Sequence, residues 1–202
     1  MAQSINDQLA ASITNNTLRF GGFASLAMHN ATVAAQEVKR AVVELGFLEQ
    51  AGSDNATFLY YDQPEYDEFW STVTELDVPV YFHPRTNPAE LQTLLYGHAP
   101  WLKGPGQEFA DTLSTHIMGL MTNGVSSARF PTLNIILGHL GERIPSDLWR
   151  IDDQLARQIP GGMPILRNLS SYWRSNVFET TSGNFATELL HFHRTQIGLD
   201  RI

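Results

Sequence analysis

The sequence predicts an α/β fold built on a parallel sheet, with its chemistry gathered at the strand ends. Three observations carry this. Ile135, Ile136 and Leu137 form a short aliphatic run of the kind buried on both faces, and Gly138 ends it just before His139, Gly141 and Glu142. An earlier run, Val78-Pro79-Val80-Tyr81-Phe82, repeats the design and delivers His83, Pro84 and Arg85. Stretches of helical spacing alternate with such runs: residues 31–47 place Val33, Ala34, Val38, Ala41, Val42 and Leu45 on one side, with Gly46 as the stop signal. In a parallel sheet the loops after the strands open on one face, so two strand-end histidines share a crevice. Neutral imidazoles presented this way are common ligands of zinc or a similar divalent ion. The plainer reading is of buried histidines donating to backbone carbonyls.

The remaining elements are taken in chain order. Residues 1–17 carry a weak amphipathic trace (Ile5, Leu9, Ile13) that suggests a helix, and residues 19–28 read as a strand ending at His29, which has no acidic or glycine partner after it. Residues 48–57 are polar and contain no apolar run, so a strand is missing where the alternation requires one. Residues 65–75 predict a helix with Phe69, Trp70, Val73 and Leu76 inside. Beyond Arg85, residues 91–96 suggest a turn of helix. The Gly/Pro-punctuated stretch 97–105, which holds His98 and Trp101, reads either as a substrate lid or as a surface loop anchored by Trp101. Residues 109–121 form a strong helix in which His116 is a surface or packing residue, and residues 146–158 another, with Leu148, Trp149, Ile151 and Leu155 inward. The last convincing strand spans 176–181. A closing helix over 186–193 puts His191 and His193 near its C-terminal end, where cationic side chains suit the helix dipole.

Composition narrows the function classes. The chain has 202 residues, 43% hydrophobic and 17% charged, which suits one globular domain, 1–202. It is short for a closed eight-stranded β/α barrel of ~250 residues. A net charge of −8 without a basic stripe argues against nucleic acid and anionic membranes, and favours a small-molecule partner. The absence of cysteine leaves only His and carboxylate as metal ligands. No apolar run approaches the ~20 residues that span a bilayer and no signal-peptide pattern is present, so a cytoplasmic location is expected.

Three strings point further: Tyr81-Phe82-His83-Pro84-Arg85, Gly138-His139-Leu140-Gly141-Glu142-Arg143-Ile144-Pro145 and Phe178-Glu179-Thr180-Thr181-Ser182-Gly183. Together they resemble the amidohydrolase-superfamily metal-dependent decarboxylases, most nearly the fungal 2,3-dihydroxybenzoate enzymes. The resemblance runs from about residue 19 onward, residues 1–18 matching poorly. It implies a partial (β/α)8 TIM-like barrel that lacks the first strand, an internal strand around residues 47–52 and the last strand. It also implies one divalent metal (zinc, manganese or magnesium) with His83 as a ligand. His139 would sit beside the metal, paired with Glu142, to position substrate or move protons. Arg150 and His98 are the substrate-binding candidates, the substrate being a small hydroxybenzoic acid that loses carbon dioxide, and the assembly a homo-oligomer (dimer or tetramer). Two of the metal ligands and the ring-protonating acid expected of such enzymes have no counterpart here, since Asp200 does not match the late acid. The chain is therefore expected neither to hold zinc tightly nor to decarboxylate alone. Two other readings stay open: a metal-dependent hydrolase of the same superfamily, and a non-catalytic truncated paralogue that dimerises with a full-length partner.

Overall fold

A computed structural model describes residues 1–52 and 59–202. After an N-terminal helix α1 (Ala2–Ile13), the chain runs β1 (Phe23–Ser25), α2 (Ala31–Leu45), β2 (Leu48–Gly52), α3 (Asp67–Leu76) and β3 (Val80–His83). Two helices, α4 (Ala89–Tyr96) and α5 (Glu108–Thr122), precede β4 (Ile135–Leu137). Two more, α6 (Leu148–Ala156) and α7 (Leu169–Asn176), precede β5 (Val177–Glu179), and α8 (Thr187–Ile197) comes last.

Among the described residues the five strands form one sheet in the order β1-β2-β3-β4-β5, every pair parallel. Strict sequential order with helical crossovers is the winding of a (β/α)8 barrel, and not of a doubly wound sheet, whose order reverses partway. The fold is thus part of such a barrel. One expectation is corrected: an internal strand is present, because β2 occupies residues 48–52 and pairs with β1 and β3 on either side. An apolar run is a statement about side chains, whereas backbone pairing to two neighbours makes a strand from Leu-Glu-Gln-Ala-Gly all the same. Residues 53–57 of the same polar stretch lie outside the described residues.

Register brings the strand ends level: Phe82 pairs with Leu137, and Leu137 with Glu179. Alternate residues Val80 and Phe82, Ile135 and Leu137, and Val177 face the core with no exposed surface, against Trp70, Leu113, Ile117 and Trp173. Two helix ends obey the sequence signals. Asn30 Oδ1 accepts from Val33 N at 3.0 Å to cap α2, and Gly46, at φ 70°, ends it. On α6, by contrast, Trp149 is 81% exposed, where helical spacing had predicted it inside.

The outer edge of β1 is sealed by α1. Asn6 Oδ1 accepts from Ser25 N at 2.8 Å while its Nδ2 donates to Ser25 O at 3.0 Å, so one side-chain amide takes the place of a neighbouring strand's backbone. The second Nδ2 hydrogen goes to Glu37 Oε1 at 2.7 Å, and Glu37 is held in turn by Arg40, leaving the buried amide fully satisfied.

Candidate functional site

Three of the sequence-predicted residues meet at the strand ends. His83 closes β3, and its ring lies edge-on to that of His139, with centroids 5.7 Å apart. His139 Nδ1 pairs with Glu142 Oε1, so the buried carboxylate fixes the ring and leaves Nε2 as its exchanging nitrogen. Nδ1 of His83 lies 2.9 Å from Pro84 O. With Nδ1 donating there, Nε2 carries the lone pair that binds metals.

The His139–Glu142 pair depends on an uncommon backbone. Residues 139–143 all have positive φ, at 57°, 54°, 65°, 48° and 72°. Gly141 accepts this freely, whereas each of the four others costs about 1–2 kcal/mol. Against a domain stability of roughly 5–15 kcal/mol, such a turn persists only where its surroundings hold it. Leu140 N donates to Thr180 O at 2.9 Å and Gly141 N to Gly138 O at 3.0 Å. Close packing adds to this, since a Cβ at Gly183 would stand 2.6 Å from His139 Cδ2.

Arg143, at the end of the turn, donates to Gln107 Oε1 at 2.6 Å and to Gly106 O at 2.9 Å, which ties the turn to the segment between α4 and α5. That segment is not anchored by Trp101, which is 93% exposed. Its anchor is Glu108, wholly buried at the start of α5, which accepts from Asn87 N at 2.7 Å, Gly104 N at 2.8 Å and Gln92 Nε2 at 3.0 Å. Burial alone would push the Glu108 carboxyl up, but the backbone N–H groups of Gly104 and Asn87 and the amides of Gln92 and Asn87 outweigh it and hold the group below its ordinary 4.5.

Two cavities reach the site residues, one at His83 and the other at Glu142, and His139 lines neither. One of about 460 Å³ opens at the ends of β1 and β3 and is lined by Ser25, Met28, His29, Tyr61, His83 and Arg85. The other, about 660 Å³, lies between α5 and α6 and is lined by Asp111, Ser114, Met118, Glu142, Arg143 and Arg150. Arg150 therefore shares a cavity with Glu142 and not with His83. His98 is exposed between α4 and the next turn and lines neither cavity.

Sequence reasoning missed a second acid–imidazole pair. Glu179 and His193 are wholly buried, with His193 Nδ1 2.6 Å from Glu179 Oε2, whereas the sequence places His193 only near a helix C-terminus suited to cationic side chains. The helix runs on to Ile197, which puts His193 on its inner face. The Glu-Thr-Thr-Ser-Gly string carried the only signal of this. His116 proves to be a packing residue against Tyr61 and Phe82, and burial pushes it down to about 4 despite the opposing pull of Asp62.

A sequentially wound β/α barrel with histidines at its strand ends defines a class of barrel enzymes that work at the C-terminal face of the sheet. Within that class, the amidohydrolase family model matches residues 1–182, and the chain belongs to the amidohydrolase family. It is 41% identical over 212 residues to the γ-resorcylate decarboxylase of Rhodococcus jostii strain RHA1, with 100% of this chain and 64% of that protein covered. Among solved structures, a 2,6-dihydroxybenzoate decarboxylase complexed with 2,6-dihydroxybenzoate superposes at TM-score 0.91 and 40% identity, covering 100% of this chain and 64% of that one. The dihydroxybenzoic acid decarboxylase of Polaromonas sp. JS666, with bound manganese and the inhibitor 2-nitroresorcinol, superposes at TM-score 0.90 and 40% identity, covering 100% and 62%. The chain thus spans somewhat under two thirds of the proteins it matches.

The described residues fit a divalent ion only in part. His83 is presented as a ligand, but no group of three or more His, Cys, Asp or Glu able to hold an ion occurs among the described residues. That falls short of the three or four protein ligands of a tightly held metal. No helix among the described residues is long and apolar enough to cross a membrane.

Proposed function

We propose that this chain carries part of the active site of a carboxy-lyase that removes carbon dioxide from a dihydroxybenzoic acid, with 2,6-dihydroxybenzoate as the substrate to test first. The observation that carries this is the convergence of His83 with the His139–Glu142 pair on a strained turn at the strand ends. The kinship with decarboxylases at about 41% identity supports the choice of reaction. The cofactor is one divalent ion, manganese first, to which His83 contributes one ligand. The others come from outside the described residues. Such an ion supplies Lewis-acid attraction for the substrate's carboxylate and phenolic oxygen.

In this reading the 460 Å³ cavity, which His83 and Arg85 help to line, receives the aromatic acid. Loss of carbon dioxide breaks the bond between ring and carboxylate, the electron pair returns to the ring, and a proton takes the vacated carbon. Glu142 keeps His139 Nδ1 occupied, so His139 exchanges that proton through Nε2 or holds the acid in place for it. Arg150, which lines the cavity of Glu142, and the exposed His98 act on substrate across a subunit contact. The single domain 1–202 is accordingly a cytoplasmic homo-oligomer.

The deficit of metal donors among the described residues favours a second reading, in which the chain is a non-catalytic partner that assembles with a longer relative. One experiment separates the two. The sequence alone leads to an expectation of no tight zinc binding and no turnover, so the first reading stands on the opposite outcome: carbon dioxide release from 2,6-dihydroxybenzoate with manganese in excess, lost in both His83→Ala and His139→Ala. A chain that binds neither manganese nor the acid, but elutes as a complex with a full-length relative, defeats the first reading.

A further inference from the structure

Glu179 stands among the buried apolar residues of β3, β4 and β5, with Val80, Phe82, Ile135, Leu137 and Val177. It lies two residues beyond Val177 on the core side of β5, level with Leu137 of β4, and its side chain is wholly buried. Trp173 Nε1 donates to its Oε1 at 2.7 Å, and His193 Nδ1 lies 2.6 Å from its Oε2. His193 Nε2 is buried without a hydrogen-bond partner. Apolar side chains of similar volume usually serve stability as well as such a pair or better, so packing alone does not account for it.

Its neighbours do. Glu179 Oε1 lies 2.6 Å from where a Cβ would project at Gly141, the middle of the left-handed turn. The next residue, Thr180, donates its N–H to Leu137 O at 2.8 Å and accepts Leu140 N–H at 2.9 Å, so the end of β5 and the turn are built on one another. We infer that Glu179, clamped by Trp173 and His193, is a positioning residue that seats Gly141 and thereby sets the turn presenting His139 and Glu142. The inference rests on the reading of those two residues as reacting groups. Glu179 acts through the turn, and a carboxylate suits the task because two donors from different helices fix both of its oxygens, which no aliphatic side chain offers.

Amide hydrogen exchange tests this without requiring turnover. The double variant Glu179→Leu/His193→Leu removes the acid and the orphaned imidazole together. It is expected to keep its melting temperature while the Leu140 and Gly141 amides exchange about tenfold faster and those of β3 do not change. With 2,6-dihydroxybenzoate, kcat is expected to fall roughly tenfold at constant KM. Glu179→Gln keeps the acceptor for Trp173 and the contact with Gly141, and is expected to bring both readouts back to within about threefold of the native chain. Unchanged protection of Leu140 and Gly141 overturns the inference, as does faster exchange spread evenly through β3 and β4. Where the double variant fails to fold, His193→Phe decides, since it keeps a buried ring but removes the Nδ1 donor to Glu179 Oε2, and His193 is not among the atoms nearest Gly141: faster exchange at Gly141 supports the inference and no change overturns it. A native chain without turnover defeats the proposed function, whereas the exchange result decides the role of Glu179 independently.

Discussion

Replacing Gly141 with alanine measures what holds the left-handed turn at residues 139–143 in place. Two costs add. At φ 65° an alanine is strained by about 1–2 kcal/mol. Its methyl would also fall 2.6 Å from Glu179 Oε1 and 3.0 Å from both Pro145 Cδ and Trp173 Cζ2, an overpacking of about 1–3 kcal/mol in buried surroundings. The sum is roughly 3 kcal/mol, which lowers the melting temperature of a domain this size by about 6–12 °C. Gly46 provides the control for strain alone, because it has φ 70° but nothing within 4 Å of an added Cβ, so Gly46→Ala costs about 1 kcal/mol, or ~2–4 °C. Gly161 has neither feature, and Gly161→Ala leaves the melting temperature unchanged. Scanning calorimetry of the three variants orders them Gly161, Gly46, Gly141. Should Gly141→Ala melt together with Gly46→Ala, the close approach of Glu179 and Trp173 to the turn is not real.

The same geometry sets other expectations. Asn6→Ala leaves the backbone of Ser25 without its partner and takes one hydrogen bond from the buried carboxylate of Glu37, still held by Arg40; the loss costs about 2–3 kcal/mol and speeds exchange of the Ser25 amide while β4 stays protected. His116 is pushed down from 6.5 to about 4 in the folded chain, so the unfolded chain takes up the proton first, and stability falls between pH 6.5 and about pH 4. A pH series of denaturant melts on His116→Phe shows a flatter slope through that window, and an unchanged slope refutes the assignment. Glu108 has a depressed value, so its contribution is present above pH 4.5 and is lost as pH falls through the folded value; Glu108→Gln removes this acid limb and loosens the segment between α4 and α5, read by limited proteolysis at pH 7.

The strand-end histidines were legible because short apolar runs ending in glycine or proline fix both the strand and the face on which the next side chains emerge. His83 and His139 therefore needed only a parallel sheet to meet. β2 was not legible, because its sequence is polar and its existence depends on neighbours far away in the chain. Nor was the pairing of Glu179 with His193. Fourteen residues separate them, most of a helix included, and the sequence pattern ends the helix at His193 where α8 runs on to Ile197, which assigns the ring to a helix end and not to an inner face. Trp101 and Trp149 misled for the opposite reason: large aromatic residues count as core in any periodic reading, yet both stand in the open.

The amide of Asn6 has a consequence for the fate of misfolded copies. A bare strand margin accepts any extended peptide of suitable length, including the same segment of another molecule, and from there growth into insoluble fibrils needs no further invention. By occupying the N–H and C=O of Ser25 with a side chain that offers no onward hydrogen-bonding ladder, Asn6 caps the growth face at that end of the sheet. Detachment of α1 uncovers that margin while the core stays packed.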